Sequence, residues 1–225
     1  NVNSVFKKAA TYIGGYFAVN EVINFGKGVV TALSNFESFQ STLNTFLGGN
    51  TEQVAALTKQ LQDFATTTPF ELTQIQDATS KLLAFGVGAD DIEASLRSIG
   101  DISSGIQAPI AEIAEIYGKA KVQGRLFGED INQLTGRGIP IIQELEKKFG
   151  VSDSAVKKLV EEGKVGFPNV EKAFKDMTSE GGKFFGLMKD QSKTTGGQIS
   201  NLSDSFNNFS ASSSINSILT FKFFC

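Results

Sequence analysis

Apolar residues recur along the first forty-odd positions at three-, four- and five-residue steps. The series runs Phe6, Ala10, Ile13, Phe17, Val22, Phe25, Val29, Leu33, Phe36, Phe39 and Leu43. Such spacing marks one face of a helix, and Asn20, Glu21, Asn24 and Lys27 fill intervening polar positions. The pattern predicts a long amphipathic helix over 1–47. Gly14, Gly15, Gly26 and Gly28 interrupt it, each costing about 1 kcal/mol relative to Ala inside a helix. They point to close packing against a neighbour or to local kinks. No strict heptad is kept, which argues against a simple coiled coil. Gly48-Gly49 ends the segment, and Asn50 or Thr51 is placed to cap the next one.

Shorter helices follow. Val54, Leu57, Leu61 and Phe64 form one stripe between Glu52 and Ala65. Thr68-Pro69-Phe70-Glu71 then has the form of a capping box, with Thr68 as N-cap, Pro69 in the first helical position and Glu71 completing the box. That helix, carrying Leu72, Ile75, Leu82 and Leu83, runs to about Phe85 and stops at Gly86-Val87-Gly88. Asp90 and Asp91 open another, with Ile92, Leu96, Ile99 and Ile102 on its apolar face before Ser103-Ser104-Gly105. Pro109 starts a helix with Ile110, Ile113, Ile116 and Tyr117 inward, ending near Gly124. Gly128 to Ile131 reads as a turn into a short helix through Leu134. Gly136-Arg137-Gly138 and Pro140 set the entry to a helix ending at Phe149. Ser152 or Asp153 caps one that stops at Gly163, and Phe167-Pro168 introduces one with Val170, Phe174 and Met177. After Gly181-Gly182 come Phe184 to Met188 and a polar amphipathic segment through Phe209. No segment alternates as a strand does. The fold class predicted is all-α, a long N-terminal helix followed by a compact bundle of short amphipathic helices broken by glycines. Its expected divisions are 1–47, 48–200 and a C-terminal helix or truncated tail over 201–225.

Composition removes several chemistries. The chain has no His, which excludes Ser-His-Asp and Cys-His nucleophile systems and His-ligated zinc. Its single Cys is residue 225, so neither an intrachain disulfide nor a cysteine-rich metal site can form. A net charge of −3 supplies no basic footprint for nucleic acid. No secretory leader pattern opens the sequence, and its apolar stretches fall far short of a membrane span. Asn1 stands where an initiator Met would, so the chain reads as a piece of a longer one.

The most specific signal is an ordered set of short motifs. It begins with Gly136-Arg137-Gly138-Ile139-Pro140-Ile141 and continues with Gly163-Lys164-Val165. Next comes Ala173-Phe174-Lys175-Asp176-Met177-Thr178-Ser179-Glu180-Gly181-Gly182, then Met188-Lys189-Asp190-Gln191-Ser192-Lys193-Thr194-Thr195-Gly196-Gly197. Upstream, Thr67-Thr68-Pro69-Phe70 and Leu83-Ala84-Phe85-Gly86 join the set. In this order the motifs resemble the conserved N-terminal region of phage tail tape measure proteins, from about Thr66 to Asp204. The resemblance implies a structural component of a phage or prophage tail that sets tail length during assembly and leaves the tail as the genome is ejected. It implies tail tube subunits, tail assembly chaperones and further tape measure copies as partners. It places the protein in the virion tail, and in the host cytoplasm during assembly. Members of the family usually continue for hundreds of residues, often with long coiled or membrane-active segments; this chain stops, as a fragment or a gene remnant would.

Gly136-Arg137-Gly138 has the amides and cation of an anion cradle, yet no phosphate-loop spacing and no preceding strand accompany it. A helix-breaking corner is the expectation, with Arg137 capping carbonyls or pairing with an acid. Glu129, Asp130, Glu144, Glu161, Glu162 and Glu180 offer carboxylates for a glycosidase pair, but nothing in their spacing gathers two of them at a cleft. No catalytic residue, metal ligand or cofactor is expected. Ile139, Ile141, Ile142 and Leu145 are expected to be buried beside the Gly136 turn, with Phe174 and Met177 nearby. The alternatives are a membrane-active or peptidoglycan-degrading phage effector fragment and a helical scaffold unrelated to phage.

Overall fold

The computed structural model describes residues 34–194. The chain divides into two units with a boundary between Ser41 and Thr42. A helical stretch covers 34–46, with Phe36, Phe39 and Leu43 buried at three- and four-residue steps. The remainder of the helix expected over 1–47, and the segment expected beyond Thr194, lie outside the described residues.

The second unit, Thr42–Asp204, is all-α over its described part. Its helices are α1 (Thr51–Thr67), α2 (Leu72–Ala84), α3 (Ile92–Ile106), α4 (Ile110–Gln123), α5 (Gly128–Gly136), α6 (Ile141–Phe149), α7 (Asp153–Glu161), α8 (Phe167–Thr178) and α9 (Leu187–Ser192). A 3-10 turn at Ala89–Asp91 leads into α3. Among the described residues the extended pairing is a single antiparallel bridge between Arg125 and Gly166. There Leu126 N–H donates to Val165 C=O and Phe167 N–H to Gly124 C=O, both at 2.9 Å.

The sequence explains most boundaries. Asn50 caps α1, its side-chain oxygen accepting from Gln53 N–H at 3.1 Å and satisfying one orphan donor of the first turn. Gly124 and Gly150 end α4 and α6 in the left-handed region. Helix α3 is central: it packs against α1, α2, α4, α8 and α9, and Ile92, Leu96, Ile99 and Ile102 on it are fully buried. Each such side chain contributes about 1.5–3 kcal/mol of transfer free energy. Helix α2 lies along α4 in the most extensive helix pairing, while α8 bridges α3, α4 and α6. Helices α5, α6 and α7 form the other end of the bundle, all three in contact with one another.

Three expected boundaries move. The start of α2 is Leu72 rather than Pro69, and its N-cap is Glu71 rather than Thr68. Thr68 instead closes α1 in extended conformation, its N–H donating to Ala65 C=O. The reach-back bond exists three residues later, where Gln74 Oε1 accepts from Glu71 N–H at 3.0 Å. The cause is Phe70, which is buried beside Gly100 of α3; the extended connector carries its ring there. Second, Ser103-Ser104-Gly105 does not end α3, which continues to Ile106 with Gln107 as a left-handed cap at φ 55°. Third, Gly128 already belongs to α5, because the Asp130 carboxylate accepts from Phe127 N–H at 2.9 Å and so caps the helix from within.

Candidate functional site

The Gly136 corner joins α5 to α6. Arg137 N–H donates to Leu134 C=O (3.2 Å), Gly138 N–H to Thr135 C=O (2.9 Å) and Ile139 N–H to Leu134 C=O (3.0 Å). The last two bonds form the paired closure that follows a helix whose next residue is left-handed, and Gly138 has φ +81°. Ile139 and Leu134, which flank this closure, are both buried. With Ile141 N–H given to Ile139 C=O at 2.8 Å, the corner's amides are spent on its own carbonyls. None is left to cradle a phosphate.

Arg137 does both things expected of it. Nη1 donates to Gln133 C=O at 3.1 Å, and Nη2 reaches Glu112 of α4 at 3.4 Å. Lys183, in the turn after α8, donates from Nζ to Gly138 C=O at 3.2 Å. The corner is thus tied to two distant parts of the chain. Ile139, Ile141, Ile142, Leu145, Phe174 and Met177 are all buried, and α6 packs against α8.

Other family-like motifs mark places where a large side chain meets a glycine. A methyl added to Gly118 of α4 would overlap the Phe85 ring, with Phe85 Cγ 2.8 Å and Cβ 2.9 Å away. One on Gly100 of α3 would lie 2.7 Å from Met188 Sδ and 3.2 Å from Phe70 Cε2. One on Gly105 would lie 2.7 Å from Leu187 Cδ1 and against the Phe184 ring. Phe70, Phe85, Phe184 and Met188 are therefore knobs, and three helical glycines are their seats. Gly182 has a different duty: a methyl there would strike the backbone carbonyls of Asp176 and Met177. Close return of the chain onto the end of α8, fixed by Phe184 N–H to Met177 C=O at 2.8 Å, requires glycine.

Between α3, α4 and α8 sits Tyr117. Its ring meets Phe167 and Phe174 edge-on, both at 5.1 Å between centroids, a geometry favoured by the ring quadrupoles. Burial pushes its phenol up to about 12, opposed by the hydrogen bond with Ser95 of α3. The group is a neutral structural hub at any physiological pH.

The carboxylates weighed for catalysis serve helix ends and faces. Glu129 accepts from Gln133 Nε2 at 3.1 Å, Glu144 pairs with Lys147 at 2.7 Å and Glu162 with Lys164 at 2.7 Å. Lys164 holds the Glu162 carboxyl below its ordinary range. Glu161 and Glu180 are exposed. Asp130, buried in its capping role, has its carboxyl raised by burial, against the pull of the Phe127 amide. Among the described residues, no three His, Cys, Asp or Glu side chains are grouped to hold a metal, and no helix is long and apolar enough to cross a membrane.

Sequence reasoning missed Asp101, half-buried on α3, whose Oδ1 accepts from Met188 N–H at 2.8 Å. Burial raises its carboxyl, opposed by this amide and that of Gly186. It also missed the seats at Gly100, Gly105 and Gly118. The available signal was the glycines themselves, since a glycine inside a helical pattern needs a packing reason to offset its propensity.

Knob-and-glycine contacts and a corner whose amides are internally bonded lock these helices into an all-α bundle. The sequence profile of the tape measure protein family matches residues 27–214, and the chain belongs to that family, a structural family of phage tails. It is similar to the Mu-like prophage FluMu protein gp42 of Haemophilus influenzae, with 29% identity over 191 residues. The alignment takes in 83% of this chain and 29% of the relative, so the chain spans less than a third of that protein. No solved structure is a significant match.

Proposed function

We propose that this chain is part of a tape measure protein that sets tail length during assembly and leaves the tail when the genome is ejected, and that residues 42–194 are its docking module rather than its ruler. The observation that carries the division of labour is the folding back of nine helices upon one another. A continuous helix of about 150 residues would extend about 225 Å. A compact unit of that length has a radius of gyration of about 15 Å, so its residue count is not proportional to distance. The ruler role then falls to other parts of the longer protein, and the bundle presents a fixed surface to tail tube subunits, assembly chaperones or other tape measure copies. No bond-making role is assigned to any residue.

Paired deletions in the phage or prophage gene test this reading. Removing codons 42–194 should abolish tails, whereas removing an equal number downstream should give tails shortened by about 1.5 Å per residue. Intact tails shortened in proportion by the first deletion would refute it.

A further inference from the structure

Helix α9, Leu187–Ser192, has only six residues, too few to persist as an isolated helix. Its extended contact is with one helix, α3. Three apolar side chains carry that contact: Met188 sits over Gly100, while Phe184 and Leu187 sit over Gly105. The Asp101 carboxylate receives the Met188 amide at 2.8 Å. On the side toward α8 the segment hangs from Gly181 at φ +83° and Gly182, and Gly186 at φ +69° forms its N-cap. On the other side the chain continues past Thr194.

We propose that residues 183–192 are a latch on α3 that opens while the rest of the bundle stays folded. Local opening is expected where a small element depends on one neighbour for its packing, and α3 is that neighbour for α9. Away from α3 the segment is held by Phe184 N–H to Met177 C=O and Lys183 Nζ to Gly138 C=O. The glycine joints at 181, 182 and 186 let the segment swing once the Phe184 N–H bond to Met177 C=O at the end of α8 is broken. Opening uncovers Phe184, Leu187 and Met188 together with the Gly100–Gly105 notch they fill. The latch follows from packing alone and stands whether or not the bundle is a docking module.

The chain carries its own reporters. It has two methionines: Met188 in the latch and Met177, fully buried on α8. Hydrogen peroxide transfers one oxygen atom to an accessible thioether sulfur, giving the sulfoxide and water. Peroxide treatment of the full chain, followed by peptide mass spectrometry over time, reads both rates. The latch predicts that Met188 oxidises at least tenfold faster than Met177. Asp101→Ala, which removes the acceptor for the Met188 amide, should speed Met188 severalfold further and leave Met177 unchanged. Leu187→Ala should do the same if Asp101→Ala does not fold. Equal rates at the two sulfurs in the unmodified chain would overturn the proposal, because only global unfolding would then expose them. A fast Met188 rate that neither variant alters would also overturn it, since the sulfur would be attacked in the closed state. So would acceleration of both methionines in equal proportion.

Discussion

Two glycines in one corner should respond oppositely to the same methyl group. Gly136 is the last residue of α5, Gly138 has φ +81°, and a methyl on either meets nothing within 4 Å. Packing is thus held constant and only the backbone differs. In Gly136→Ala the helical residue gains propensity and the unfolded chain loses freedom, a stabilisation of about 0.5 kcal/mol at a helix end. In Gly138→Ala the left-handed conformation sets Cβ against the following carbonyl, costing about 1–2 kcal/mol, partly offset by the same unfolded-state gain. The two variants should differ by about 1.5 kcal/mol. At about 2–4 °C per kcal/mol for a unit of this size, their Tm values should separate by about 3–6 °C. Gly138→Asn should fall between Gly and Ala because Asn tolerates the left-handed region, and Gly138→Val should be worst. Lys147→Ala is a fitting control: its partner is Glu144 at 2.7 Å, and the lysine side chain is 72% exposed, so the loss should stay under about 1 kcal/mol. Thermal unfolding followed by circular dichroism reads all five. If Gly136→Ala and Gly138→Ala shift Tm in the same direction by the same amount, the corner does not depend on a left-handed residue.

The knob-and-seat reading predicts that Gly118→Ala destabilises by about 1–2 kcal/mol through overpacking against Phe85, despite better helix propensity. Adding Phe85→Leu should recover part of that loss in a double-mutant cycle, and strictly additive effects would show that the ring and Gly118 are not coupled. Glu115 is held below its ordinary range by hydrogen bonds from Lys119 and Lys81. Its contribution is present above the unfolded-state pKa and is lost as pH falls through the folded one. Glu115→Gln should therefore lower denaturation midpoints slightly at pH 7, by well under 1 kcal/mol for so exposed a pair, and not at pH 3. Asp130 has the opposite sign, because burial raises its carboxyl; its contribution is present below the unfolded-state pKa and is lost as pH rises through the folded one. Asp130→Asn keeps an oxygen for the Phe127 amide, so its midpoint relative to the unmodified chain should improve from pH 3 to pH 7. A constant difference across that range would contradict the assigned burial effect.

Helix content was legible because apolar residues at three- and four-residue steps, stopped by glycine, admit little else. The corner was legible for the same reason: Gly138 and Pro140 declare their backbone roles locally. What escaped was everything decided at long range. Thr68-Pro69-Phe70-Glu71 has the form of a capping box, yet burial of Phe70 against α3 keeps that stretch extended and moves the cap to Glu71. Gly105 reads as a stop, yet Phe184 and Leu187 need it inside a helix. Asp101 looks like any polar position on α3 until the chain returns, almost ninety residues later, to present the Met188 amide. On the functional side, no residue announced chemistry, and the ordered motifs carried the family. Those motifs mark knobs and turns, while the seats that receive the knobs lie outside them.

An insertion into the bundle separates a docking module from a ruler. Gly150-Val151 is the turn between α6 and α7, with Gly150 exposed, so about 20 extra residues placed there leave the bundle intact. Tail length measured by electron microscopy of particles carrying this insertion should equal that of the parent, because a compact docking module adds no distance. Tails longer by about 30 Å, at about 1.5 Å per inserted residue, would show that this region is itself read as the ruler.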